Sequence, residues 1–94
     1  MVYDYKVVDG KLAYGALGRN GDERISTTIP ITSFDESRSI LIDNQIYVDG
    51  LQLTYTNELK KKPVVVNNCE VYYLGDRLSR RGAFTLKKIN ICNP

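Results

Sequence analysis

Short pairs of turn-forming residues punctuate this chain, and the apolar stretches between them are too brief for anything but strands. Asp9-Gly10 stands between Val8 and Lys11, Asn20-Gly21 follows Arg19, Asp43-Asn44 stands between Ile42 and Gln45, and Asp49-Gly50 stands between Val48 and Leu51. These residue types tolerate the positive φ that a two-residue hairpin demands. The spacing therefore predicts a run of short antiparallel strands joined by tight turns.

Patterning within the segments agrees. Val2 to Val8 alternates, with Tyr3, Tyr5 and Val7 on one side, and Leu12, Tyr14 and Ala16 continue it after the first turn. Tyr3 and Tyr5 are expected in the core. Gly15, inside that second strand, predicts a bulge or a close backbone approach. In Arg24 to Thr32, the residues Ile25, Thr27, Ile29 and Ile31 share one face. Pro30 lacks a ladder donor and places that strand at a sheet edge. Ser33 and Glu36 have capping-box spacing, which predicts at most one helical turn between Ser33 and Ser39. Further strands are expected at Ile40–Ile42, Gln45–Val48, Leu51–Thr56, Val64–Val66 and Cys69–Leu74, with an Asn67-Asn68 turn between the last two and a polar connection from Asn57 to Pro63. Val71 to Leu74 is apolar on both faces, as a central strand would be. From Ala83 to Ile91 the apolar parity changes after Leu86, which predicts a bulge at Lys87-Lys88.

Ninety-four residues, 43% of them hydrophobic, make one globular domain spanning 1–94 with room for one core. The expected fold is all-β: a small antiparallel barrel or two-sheet roll of SH3 or OB size, with about eight short strands. The beginning of the chain lacks the basic lead and apolar run of a signal peptide, and no apolar run approaches the ~20 residues of a membrane helix. A cytoplasmic protein without a membrane partner is expected. Cys69 and Cys92 are expected as two buried reduced thiols, since a bridge would need their strands to be neighbours.

The chain contains no histidine, which removes the commonest general base and metal ligand. Two cysteines alone do not make a zinc site, and no phosphate-binding glycine pattern is present. Asp22-Glu23 and Asp35-Glu36 fall in expected surface loops. The chain is therefore read as a non-enzyme, with no catalytic residue, metal or cofactor.

Charge is distributed unevenly. Residues 1–47 carry five cations against seven carboxylates, and residues 48–94 carry eight against four. Arg77, Ser79, Arg80 and Arg81, between Gly75 and Gly82, can converge on an anion, because guanidinium forks bind phosphate in bidentate fashion. Lys60, Lys61 and Lys62, with Lys87 and Lys88, would extend that loop into a cationic stripe able to track phosphates. Seven tyrosines suggest exposed rings. Tyr47 is out of phase with Ile46 and Val48, and Tyr72 and Tyr73 cannot both enter one core, so Tyr47 and Tyr72 are candidates for base stacking or partner contact.

The stretch Ser79-Arg80-Arg81-Gly82-Ala83-Phe84 resembles the second half of the PilZ-domain signature, in which an acidic residue, a serine and a glycine precede an apolar strand. PilZ domains are small β-barrels that bind cyclic di-guanylate. Asp76 stands three positions before Ser79 where that pattern has two, and Arg19 and Arg24 are five apart where the upstream arginine pair is four apart. The likeness stops at six residues and assigns no family.

These features favour a binding module for an anionic partner, a nucleic acid or nucleotide. The alternative is a protein-interaction module, such as a virus-type or phage-type inhibitor or accessory protein, with homo-oligomer formation a further option.

Overall fold

The computed structural model describes residues 2–17, 22–77 and 80–92, the side chains of 2, 23, 77 and 80–82 excepted. The protein is all-β, with ten short strands among the described residues. They are β1 (Val2–Val8), β2 (Lys11–Leu17), β3 (Glu23–Pro30), β4 (Phe34–Asp35), β5 (Ser39–Ile42), β6 (Gln45–Val48), β7 (Leu51–Gln52), β8 (Lys60–Val66), β9 (Glu70–Arg77) and β10 (Arg80–Asn90). They form three antiparallel sheets, ordered β1-β2-β3, β10-β9-β8-β4 and β5-β6-β7. This is a roll and not a closed barrel.

The turns form for the reason their residues give. Asp9, Gly10, Asp43, Asn44, Asp49, Gly50, Asn67 and Asn68 all have positive φ, between 49° and 84°. That range suits glycine, asparagine and aspartate, whose cost in the left-handed region is low. Asn20-Gly21 lies outside the described residues.

The β10-β9-β8-β4 sheet is the middle layer, and both its faces are covered. Val64, Val66, Tyr72 and Leu74 meet Tyr5 and Leu12 of the first sheet, with Tyr14, Ile29, Phe84 and Leu86 around them. Val65, Val71 and Tyr73 point the other way and meet Ile46 and Val48 of the third sheet, with Leu41, Leu53, Ile89 and Ile91 alongside. There are thus two cores where one was expected. Each fully buried valine or leucine contributes about 1.5–3 kcal/mol, and consecutive residues of β8 and β9 serve opposite cores. The two-faced apolar run at Val71–Leu74 is explained by this arrangement.

The same arrangement corrects the bulge expected at Lys87-Lys88. Register runs unbroken from Thr85↔Gly75 to Asn90↔Glu70, and the irregularity lies between Arg80 and Thr85. Phe84 and Leu86 pack on the first core, Ile89 and Ile91 on the second. The parity changes because both faces are interior.

Other differences have local causes. Residues 33–39, where at most one helical turn was expected, contain the short strand β4: Phe34 and Asp35 pair with Val66 and Val65, and Asn67 Oδ1 accepts the Ser33 N–H at 3.4 Å. The strand expected to reach Thr56 ends at Gln52, because Thr54 turns inward. Its hydroxyl accepts the Ile46 N–H at 2.9 Å and donates to Gln45 Oε1 at 2.7 Å. Most of the expected connection at 57–63 is instead the start of β8, which contains a bulge between Lys61 and Val64 with Lys62 at φ 56°. Pro63 is accommodated in that bulge, where no ladder donor is required. In β3 the bulge opposite Tyr14 and Gly15 breaks the face expected for Ile25, leaving it exposed while Ile29 and Ile31 pack inward. Pro30 does stand on an edge strand.

Cys69 and Cys92 form a disulfide, with Cα atoms 4.7 Å apart. This corrects the expectation of two reduced thiols. The Ile91 N–H donates to the Cys69 carbonyl at 2.8 Å, so the end of β10 lies against the β8–β9 turn and brings the two cysteines together.

Candidate partner-binding surface

The lysines expected to form a cationic stripe are dispersed and partnered. Lys60 is buried at 6% exposure, and its Nζ donates to the Thr56 and Glu58 carbonyls at 2.8 and 2.9 Å. Burial holds its pKa below the ordinary lysine value. It is an internal clamp on the 53–59 connection and cannot meet an anion. Lys61 lies over the Phe84 ring, 4.2 Å from its centroid. Lys62 pairs with Asp4 at 2.6 Å and also covers the Tyr5 ring. Lys87 pairs with Glu58, and Lys88 pairs with Glu70 at 3.1 Å. Lys87 is opposite Tyr73 and Lys88 opposite Tyr72, so these neighbours point to opposite faces of the middle sheet. Ser79 and the side chains of Arg77, Arg80 and Arg81 lie outside the described residues.

Tyr72 is buried in the first core, at 6% exposure, which rules out the stacking role expected of it. Tyr73 is equally buried in the second core. Its hydroxyl meets Glu58, and burial followed by that carboxylate pushes its pKa up to about 12. Tyr5 is buried as expected, and Tyr3 is half-buried, stacked on Tyr14 at 5.3 Å. Tyr47 is half-buried on the outer side of the third sheet, away from Ile46 and Val48.

That outer side is the clearest anomaly of the molecule. The Asp43-Asn44 and Asp49-Gly50 turns fix the register, placing Ile40 opposite Tyr47, Tyr47 opposite Gln52, and Ile42 opposite Gln45. Leu41, Ile46 and Val48 are turned to the middle sheet, so Ile40, Ile42, Gln45, Tyr47 and Gln52 face outward. An outward face of an antiparallel sheet is ordinarily polar. This one carries no charged residue, and Ile40 and Ile42 are 57% and 47% exposed. The Tyr47 hydroxyl donates to Gln52 Oε1 at 3.0 Å, and Tyr55, 75% exposed, donates to the Gln52 carbonyl at 3.3 Å. These bonds hold two aromatic rings against the glutamine.

Ile40 also lines a groove of about 640 Å³ between β1 and β5. The sequence singled out Tyr47 but missed Ile40, Ile42 and Tyr55. The run Ile40-Leu41-Ile42 could not show which side was inward, because all three residues are equally apolar.

Among the described residues, no group of histidine, cysteine and carboxylate side chains could hold a metal ion, and no helix is long and apolar enough to cross a membrane. No protein-family model, curated protein or solved structure matches the chain.

Proposed function

We propose that this domain is a protein-interaction module whose contact surface is the outer face of β5-β6-β7. The observation that carries this reading is the uncharged row of Ile40, Ile42 and Tyr47, joined by Tyr55, on a sheet whose other face packs Leu41, Ile46 and Val48 into the second core. Exposed apolar patches with aromatic anchors are the usual chemistry of protein interfaces. The reading of an anionic ligand is less well supported. Its described lysines are buried, stacked on a ring or paired with carboxylates, and it rests on Arg77, Ser79, Arg80 and Arg81 alone.

Capture from a nuclease-treated lysate of the source organism separates the two. The double variant Ile40→Lys with Ile42→Lys changes only outward positions and should leave the circular dichroism spectrum unchanged. It is expected to lose the captured partner, while Arg80→Ser with Arg81→Ser retains it. Retention by the isoleucine variant and loss by the arginine variant would reverse the assignment.

A further inference from the structure

The groove beside Ile40 is bounded by two strand edges, and the turns decide which main-chain groups those edges present. A two-residue hairpin makes its closing pair a hydrogen-bonded one, and pairs alternate from there. In β1 the closing pair is Val8↔Lys11, so Lys6 and Asp4 bond to β2, while Tyr3, Tyr5 and Val7 direct N–H and C=O away from it. Tyr5 confirms the alternation. Its N–H donates to Asp4 Oδ1 at 2.8 Å, and its carbonyl accepts from Lys62 Nζ at 2.7 Å. In β5 the closing pair is Ile42↔Gln45, so Leu41 directs its main-chain groups away from β6. Ile46, opposite Leu41, agrees: its N–H goes to Thr54 and its carbonyl to the Leu53 N–H. Among the described residues, neither β1 nor β5 is hydrogen-bonded to a second strand. The groove lies between these edges, lined by Tyr5 and Val7 on one side, Ser39 and Leu41 on the other, with Phe34 and Pro63.

We infer that this groove receives an extended, largely apolar peptide segment of the partner as an added strand on β1, and that the Asp4–Lys62 pair is a clip protecting that edge. The inference rests on the protein-interaction reading and names the partner's chemistry. Donors and acceptors that repeat every second residue match an extended backbone. Charges of both signs, Lys6, Lys62 and Glu36, line the groove, so it complements a peptide of low net charge and not a polyanion. Ile40 belongs to groove and outer face alike, so one partner can cover the face and thread the groove. Side-chain blocking of an exposed edge is a known device against promiscuous pairing. Here it takes the form of a carboxylate on the Tyr5 N–H and an ammonium on its carbonyl.

The test uses the full chain and a peptide selected on it from a random displayed library, with affinity read by fluorescence polarisation. Backbone N-methylation at alternate peptide residues should weaken binding about tenfold or more in one parity and leave the other unchanged, as loss of well-formed hydrogen bonds requires. Val7→Pro removes an outward N–H without touching the β2 ladder and should weaken binding comparably. Lys62→Met should tighten binding by opening the clip. The amide of Val7 should gain hydrogen-exchange protection in the complex. Equal affinity for both N-methylated parities, unchanged affinity of Val7→Pro, or failure to select any peptide would overturn the inference. Ile42 does not line the groove, so the lysine substitution at that position, made alone and assayed by capture, tests the outer face independently.

Discussion

A methyl group at residue 15 would sit 1.9 Å from the carbonyl oxygen of Arg24 and 2.7 Å from the Cα of Ile25. Backbone atoms cannot swing aside as a side chain can, so Gly15→Ala must push β3 off β2 at its bulge. Such overpacking costs about 1–3 kcal/mol, to be read as a lower urea midpoint at unchanged slope. This feature was legible in the sequence, since a glycine inside an alternating strand marks a position where a side chain has no room. Tyr73 makes a second prediction at this scale. Its pKa is raised from the ordinary 10.0 to about 12, by burial first and then by Glu58. A raised folded value means a contribution fully present below pH 10 and lost as pH rises through 12. Stability measured by urea titration between those limits should fall more steeply in the native protein than in Tyr73→Phe. The lysines were the illegible part. Lys62 finds Asp4 across 58 positions and Lys87 finds Glu58 across 29, and a charge reads as solvated until its distant partner is known.

Single elements here answer to two neighbours, which is where the sequence pattern was both most useful and most misleading. The apolar stretch Val71–Leu74 declared itself as a central strand. In β10 the same physics looked like a defect, because the parity change after Leu86 makes sense only if both sides of the strand are interior. The turn after β8 shows how separate elements are tied. Asn67 Oδ1 accepts the Thr32 N–H at 2.6 Å and the Thr32 hydroxyl at 3.0 Å, as well as the weaker bond from Ser33. It thereby fastens the β3–β4 connection to the β8–β9 turn. Asn67→Gly keeps the φ of 56° accessible and deletes only the acceptor. The loss should be about 0.5–1.5 kcal/mol, the net worth of a hydrogen bond whose exposed donors can turn to water, and the Thr32 amide should exchange faster with solvent.

At the scale of the whole molecule, the middle sheet makes the fold indivisible. Among the described residues, each core joins one outer sheet to the middle one, so the three layers should unfold in one transition seen identically by fluorescence and circular dichroism. The Cys69–Cys92 bridge adds to this by closing a loop of 23 positions. Loops of this length are worth roughly 3 kcal/mol. Cys92→Ser, or an excess of reductant, should therefore lower the melting temperature by about 10–20 °C. The bridge was not legible because the pairing of Ile91 with the Cys69 carbonyl, which brings the two sulfurs together, is a tertiary event with no local signature.

The bridge also encloses the segment with the arginines. Any protease that cuts between residues 70 and 91 produces two pieces that remain one covalent body. On a gel without thiol the nicked chain would keep its mass, and only after reduction would the fragments part, which makes the ring around β9 and β10 a built-in guard against loss of the C-terminal strand.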